Sequence, residues 1–384
     1  MDFNFTPEQE KFRQEVREFL EREVTEELVQ EAGKGTLIGS GPAIKAFNRK
    51  LGERQWFCPL LPKEYGGMGA SHVENLILTD ELLYYRALPL MNVAAQCVAP
   101  SLMMYGSEEL KQEFIPRIAR GEIEFALGYT EADAGSDLAN LSIKAEEKDD
   151  YFVINGGKLF NTNCHYADYH WLGARTDFNV PKHKGISLFI VDMKAPGISL
   201  SPLYTMDYER TNEVFYDDVK VPKKYLVGEK NKGFYYIVTA LAFERNFPTG
   251  MMRRGFEDLV DYVKATEKRK DPLVRQKLAQ LKIELEIAWI HTYRVALMAE
   301  QRMVPEWEAP MVKMFATELM WHMGRAGLEI LGLCGQLVRG SKWALLNGEF
   351  EFLYKHGRRR MITAGSNEIC RNTIALRGLN LPRG

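Results

Sequence analysis

Between Ala240 and Phe247 the chain reads ALAFERNF, so one carboxylate, Glu244, interrupts an otherwise apolar helical stretch. A carboxylate removed from water loses more solvation than its acid form. Burial at this place would therefore raise the pKa toward neutrality and suit the group to taking a weakly acidic proton. The alternative is a surface role beside Arg245, although neighbours at i and i+1 do not face each other on a helix. Two other runs hold residues that could bind a ligand. Phe125 to Asp137 reads FALGYTEADAGSD, which by itself is a turn with Asp and Gly at special dihedrals. Gly365 to Arg371 reads GSNEICR, and its glycine lets backbone approach a ligand closely.

Other chemistries lose their usual support. Cys58, Cys97, Cys164, Cys334 and Cys370 are scattered, odd in number and form no CxxC. They read as reduced thiols, neither a disulfide framework nor a zinc site. The seven histidines are equally dispersed, with His165 and His170 five apart, and read as surface or core residues. No GxxxxGK[ST], GxSxG or HExxH is present. The nearest approach to a dinucleotide fingerprint, Gly66-Gly67-Met68-Gly69, lacks its third glycine and follows a loop, so it is a turn. A formal net charge of −2 offers no basic field for nucleic acid, and Arg358-Arg359-Arg360 reads as a solvated or phosphate-pairing helix end. No apolar run of about 18 residues suggests a membrane span. The N-terminus lacks the basic-then-apolar pattern of a signal peptide, and the expected location is cytoplasmic.

The elements that must position these residues fall into three textures. Thr6-Pro7-Glu8-Gln9 is a capping box with proline at the first helical position, followed by Phe12, Val16, Phe19, Leu20 and Val24 at helical spacing. More helix is expected near 40–55, 72–86 and 90–120. After Gly121 the pattern turns to strands: Tyr151 to Ile154, an Asn155-Gly156 hairpin turn, a return through Lys158 to Phe160, then Ile186 to Val191 and Val214 to Val221. From about Gly233 the chain is helical again. Leu278, Leu281, Ile283, Leu285, Ile287 and Ile290 share one long helix, and Met311 to Leu333 form another, broken by Gly332. Long helices with short connections suggest an antiparallel bundle.

The motifs, taken together and in order, resemble the acyl-CoA dehydrogenase family over essentially the whole chain. FALGYTEADAGSD is similar to the family signature built on TE and AGSD. GKLFNTNCHYAD, from Gly157 to Asp168, is similar to GxKxWITN followed by AD. VFYDDVKVPKKYLVG, from Val214 to Gly228, is similar to VxFxDVxVPxxxxxG, and GSNEICR to GTSEIQR. The resemblance implies a mainly α fold with a central β-barrel. Its helical N-terminal domain would span 1–121, its middle β-barrel domain 122–232 and its C-terminal four-helix bundle 233–384. It also implies an FAD-dependent oxidoreductase that removes hydrogen from the α and β carbons of an acyl-CoA. A homotetramer is expected, a heterotetramer being the alternative, with an electron-transfer flavoprotein or similar acceptor as partner.

By the same resemblance, Leu127, Tyr129 and Thr130 lie along the flavin. Phe160 covers the isoalloxazine where the family usually has Trp, and Thr162 offers a hydroxyl to it. Phe keeps the stacking face but loses area and the indole N–H. Ser366 and Glu368 belong to the C-terminal cofactor loop. Arg269 is matched to an arginine that reaches the neighbouring subunit's pyrophosphate, although RKDPL departs from the usual RxxFG. Ser136, Arg245, Ala364 and Gly365 fall to the substrate. The Ala364 N–H would be one of two donors to the thioester carbonyl, an oxyanion-hole device.

In many members a glutamate precedes the C-terminal glycine, as YEG. Here Ala364 stands in that place and cannot accept a proton. A minority arrangement, as in isovaleryl-CoA dehydrogenase, puts the base on a bundle helix just before an arginine, and Glu244-Arg245 matches it. The expectation is therefore an active dehydrogenase with Glu244 as the catalytic base and a branched, cyclic or aromatic acyl group. The alternatives are a catalytically silent subunit of a mixed tetramer that binds FAD or acyl-CoA, and an acyl-CoA oxidase.

Overall fold

A computed structural model of the chain describes residues 3–33, 41–87, 93–244 and 247–383; of residues 32, 33 and 242–244 it describes the backbone alone. Among the described residues six α-helices come first: α1 (Pro7–Glu23), α2 (Glu26–Gly33), α3 (Pro42–Glu53), α4 (His72–Tyr84), α5 (Ala99–Tyr105) and α6 (Glu108–Ala119). Seven strands follow: β1 (Phe125–Gly128), β2 (Lys144–Glu147), β3 (Tyr151–Lys158), β4 (Tyr169–Arg175), β5 (Ile186–Asp192), β6 (Ile198–Tyr204) and β7 (Arg210–Pro222). The chain then returns to helix as α7 (Gly233–Glu244), α8 (Gly250–Ala265), α9 (Pro272–Glu300), α10 (Glu308–Leu331), α11 (Glu349–Arg360) and α12 (Asn367–Thr373). The fold is thus mainly α with a central β domain. It divides into two compact units, one of Met1–Thr25, Ser71–Ala87 and Arg245–Gly384, the other of Glu26–Ala70 and Leu88–Glu244.

In the first unit, α1 begins as its sequence dictates. The Thr6 side chain accepts from the Gln9 N–H, the Gln9 side chain accepts from the Thr6 N–H, and Pro7 opens the helix. Buried carboxylates on α4 join α1 to α8. Asp80 accepts from the Thr249 N–H and hydroxyl and from Arg253, while Glu81 accepts from Arg13, Arg17 and Arg253. Val73, Leu76 and Ile77 of α4 pack with Tyr293 and Ala296 of α9. Helices α10 and α11 approach so closely that a Cβ on Gly324 would lie 2.3 Å from the Tyr354 nitrogen. Gly332, at φ +70°, ends α10, as the sequence anticipates.

The second unit is built on one seven-stranded sheet of order β1-β4-β2-β3-β7-β6, with β5 also paired to β4. Strand β1 runs parallel to β4, while β4–β5, β2–β3, β3–β7 and β6–β7 are antiparallel. Ile186 to Val191 is buried throughout, the mark of a strand covered on both faces. Helix α7 lies on it: a Cβ on Gly233 would sit 2.5 Å from the Ser187 carbonyl carbon, and one on Gly173 of β4 would meet Ile237 at 2.9 Å.

One expected turn is corrected. Asn155-Gly156 is not a hairpin, since β3 runs unbroken from Tyr151 to Lys158. The pair forms a bulge, with the register against β7 slipping between Ile154 and Gly156. Gly156 takes φ +134°, and Asn155 is held by Asp218, donating to its side chain and accepting its N–H. The real hairpin lies one step earlier, where the Lys148 N–H donates to the Tyr151 carbonyl between β2 and β3. Asn-Gly favours positive φ, and a bulge meets that preference as well as a turn does.

Candidate functional site

In the second unit, strand β1 delivers Leu127 and ends at Gly128, from which the chain passes through buried Tyr129 and half-buried Thr130 into the TEADAGSD turn. Glu131 and Ala134 close that turn by mutual backbone hydrogen bonds of 3.0 and 3.2 Å. The Asn140 side-chain amide donates to the Asp133 carbonyl at 2.9 Å. Ser136 is exposed at the far end of the turn. Arg175 fixes the segment beyond the turn, donating to the carbonyls of Ala139 (2.7 Å) and Leu141 (2.9 Å), and ties it to the Lys182 carbonyl (3.0 Å).

The end of β3 is drawn against this turn. The Leu159 N–H donates to the Thr130 carbonyl at 2.9 Å. One residue on, Phe160 stands at φ +55° with 55% of its surface exposed. An aromatic residue in the left-handed region is an outlier that its neighbours must enforce. They do so from both sides. Leu159 is tied to Thr130, and Asn161 exchanges backbone and side-chain hydrogen bonds with Asn212 at 2.9 Å. The Thr162 N–H donates to the Phe160 carbonyl at 3.0 Å, which places the Thr162 hydroxyl in the same tight turn. Beside it, burial and then the charge of Arg210 lower His165 to about 4, so the ring is neutral and accepts from Asn212.

In the first unit, Met361 to Ser366 form the loop between α11 and α12. The Asn367 N–H returns to the Met361 carbonyl at 2.8 Å, and Ala364 and Gly365 are both left-handed, at φ +56° and +85°. Ser366 caps α12 by accepting from the Ile369 N–H. Glu368 is exposed. The N–H of its own residue and then the Ser366 hydroxyl hold its carboxyl below the ordinary range. Beneath the loop, fully buried Lys313 of α10 donates to the Met361 carbonyl (3.2 Å) and to Asn367 Oδ1 (2.8 Å). Arg269 is exposed on the turn between α8 and α9, with Nη1 3.4 Å from the Lys264 carbonyl.

The backbone of Glu244 is the last residue of α7; its carboxyl lies outside the described residues, as does Arg245. Within each unit the expected residues gather: Thr130 with Phe160 and Thr162 in one, Ala364, Gly365, Ser366 and Glu368 in the other. Sequence reasoning passed over Glu131, Lys158, Arg175 and Lys313, the buried charged residues that hold these segments. The lysine of GxKxWITN and the glutamate of TE were visible as motif letters, with nothing in the pattern to mark them as partners. Among the described residues no cluster of His, Cys, Asp and Glu could hold a metal, and no helix is long and apolar enough to cross a membrane.

Three family descriptions match the chain in order: "Acyl-CoA dehydrogenase, N-terminal domain" over residues 6–122, "middle domain" over 126–219 and "C-terminal domain" over 231–379. The chain belongs to the acyl-CoA dehydrogenase family. It is 36% identical to acyl-CoA dehydrogenase FadE29 of Mycobacterium tuberculosis, over 100% of this chain and 99% of that protein. Among solved structures it superposes on the Tcur3481-Tcur3483 steroid ACAD with a TM-score of 0.94 at 35% identity, over the full length of both chains. It superposes on the ChsE4-ChsE5 complex from Mycobacterium tuberculosis with a TM-score of 0.91 at 32% identity, again over the full length of both. The chain is accordingly a flavin-dependent oxidoreductase acting on acyl-CoA, and its cofactor is FAD. The residues present fit that group. A half-exposed aromatic face held at Phe160 suits a flat ring, and the left-handed Ala364–Gly365 pair leaves backbone open to a ligand.

Proposed function

We propose that the protein catalyses α,β-dehydrogenation of an acyl-CoA thioester with Glu244 as the base that takes the α proton. The observation that carries this reading is Ala364. The residue before the loop glycine has no proton acceptor, and it lies in a left-handed turn next to Gly365. Glu244 is then the carboxylate matched to the family's alternative position, at the end of an apolar helix packed on β5. When bound, FAD supplies the acceptor for the hydride leaving the β carbon. Leu127, Tyr129, Thr130, Phe160 and Thr162 would hold its ring, with Ser366, Glu368 and Arg269 toward the remainder. The Ala364 N–H donates to the thioester carbonyl and stabilises the charge that builds there as the α proton leaves. Gly365 lets the thioester come close, and Ser136 and Arg245 shape the substrate channel. Functionally, segments 1–121, 122–232 and 233–384 act as helical cover, flavin-binding β domain and bundle.

Replacing glutamate by alanine at 364 frees volume beside the thioester, which favours a branched, cyclic or aromatic acyl group. The relatives described as steroid ACAD support a bulky alicyclic one. Electrons pass to an electron-transfer flavoprotein or similar acceptor. Exposed Ile283, Ile287 and Ile290 along α9 support association into a tetramer. The test is Glu244→Gln. Turnover is expected to fall at least about a hundredfold, with the flavin spectrum and acyl-CoA binding retained; normal turnover sinks the Glu244 assignment. Titrating the flavoprotein anaerobically with straight, branched, cyclic and aromatic acyl-CoAs then names the substrate class by which one bleaches the flavin band.

Ala364 also favours a second reading, a silent subunit that binds FAD or acyl-CoA beside an active partner. One similar structure is described as the ChsE4-ChsE5 complex, and another carries the paired name Tcur3481-Tcur3483. A flavin that no thioester bleaches in the isolated chain, but that is bleached after a partner chain is added, would establish it.

A further inference from the structure

We propose that the buried Lys158–Glu131 ion pair is a positioning device for FAD, joining the two segments of the β domain that contact the flavin so that neither can hold its geometry alone. The inference rests on the reading that Thr130 and Phe160 touch that cofactor.

The geometry is closed on every side. Lys158 is the last residue of β3, and its side chain is fully buried. Its Nζ donates to Glu131 Oε1 at 2.8 Å and to the Tyr129 carbonyl at 3.0 Å, so it grips the chain on both sides of Thr130. Glu131 Oε1 also accepts from the Ile143 N–H at 3.1 Å, while Oε2 accepts from the Ser142 N–H at 2.6 Å and the Ser142 hydroxyl at 2.8 Å. The Leu159 N–H adds its bond to the Thr130 carbonyl. Thr130 is thus held from the strand that two residues later presents Phe160 in its enforced left-handed conformation.

A buried ion pair is a poor way to gain stability, because desolvation of both charges offsets most of their attraction. Burial pulls the Lys158 ammonium down to about 8 despite the carboxylate beside it. For Glu131 burial pushes upward, but the Lys158 charge and the hydrogen bonds from Lys158, Ser142 and Ile143 outweigh it and hold the carboxyl below its ordinary range. What such a pair provides better than an apolar contact is directional restraint: five hydrogen bonds aimed at fixed atoms. Here that restraint falls on the one residue between the two grips, Thr130.

The test separates positioning from mere support of the fold. Lys158→Met and the double variant Lys158→Met with Glu131→Gln are made in the full-length chain, and FAD affinity and the unfolding midpoint are measured on each. Positioning requires the FAD dissociation constant of the folded protein to rise roughly tenfold or more, with altered visible circular dichroism of whatever flavin remains bound. A lowered midpoint with unchanged FAD affinity overturns the proposal. Should neither variant fold, hydrogen exchange on the wild-type protein, FAD-loaded against FAD-stripped, decides it. Amides in 128–134 and 157–162 are expected to gain protection together on FAD binding. Protection gained by only one segment overturns the coupling and leaves the flavin site standing. Protection gained by neither removes the flavin reading of both segments, and the proposal with it.

Discussion

Ala364 carries a side chain where backbone geometry penalises one. At φ +56° a Cβ crowds the following carbonyl, at a cost of about 1–2 kcal/mol. Glycine removes that crowding but loosens the unfolded chain, so Ala364→Gly is expected to stabilise the protein by no more than about 1 kcal/mol. Ala364→Val is expected to destabilise it, since a β-branched residue resists this region most. Urea unfolding of both variants checks the pair, and a clear loss with glycine contradicts the loop geometry. A second single-residue effect is acid–base. Glu124, between α6 and β1, is raised from 4.5 to about 7, first by burial, then by the Asp168 carboxylate, against an opposing pull from Lys45. Its folded pKa lies above the unfolded one, so folding favours the protonated form. The stabilisation is complete below about 4.5 and is lost as pH rises through about 7. Wild-type protein is expected to lose up to about 3 kcal/mol over that window, and Glu124→Gln to flatten the profile. Identical pH profiles for the two proteins would rule this out. At this scale the sequence showed which residues belong to motifs, and Thr130, Phe160 and the 364–368 loop could be named from it. It did not show Lys158 or Lys313 as buried, because a charged letter defaults to the surface and only the tertiary fold reveals a partner 27 residues upstream.

Helix α10 illustrates how an element's own preference can lose to its neighbour. Alanine is favoured over glycine inside a helix by about 1 kcal/mol. At Gly324, however, the added methyl would stand 2.3 Å from backbone of α11. Relieving that overlap requires the helices to separate, at a cost of typically 1–3 kcal/mol. Gly324→Ala is therefore expected to lower stability despite the propensity gain. A thermal melt of that variant measures the balance, and a raised midpoint would mean that the two helices yield easily. Strand β3 bears on legibility at the same scale. The apolar runs that became β5 and most of β7 were readable, because burial on alternate or both faces imprints a period on sequence. The role of Asn155-Gly156 was not readable. A turn and a bulge require the same backbone freedom, and only the register against β7 separates them.

For the whole molecule, cofactor binding and folding are linked equilibria. A ligand that binds only the folded state stabilises it by mass action, so FAD at about a hundredfold excess over its dissociation constant should add about 2.7 kcal/mol. Melting the FAD-stripped protein with and without added FAD measures this, and an unmoved midpoint would speak against the flavin fit. The order of helical, strand-rich and helical textures was legible end to end. The way the chain interleaves was not: α1 packs on α4, and α4 leaves its sequence neighbours to pack on α8 and α9 in the last third of the chain. That interleaving has a consequence for how the protein is made. Helix α4 is synthesised well before α8 and α9, the helices it packs on. Val73, Leu76 and Ile77 wait more than two hundred residues for Tyr293. Within the sheet, by contrast, β2–β3, β4–β5 and β6–β7 pair as local hairpins. Birth order and folding order are therefore reversed for α4, which must spend the synthesis of the intervening residues with its α9-facing side unsheltered, a natural station for a chaperone. Pulse-labelled refolding should accordingly find amides of 144–192 protected before those of 72–84.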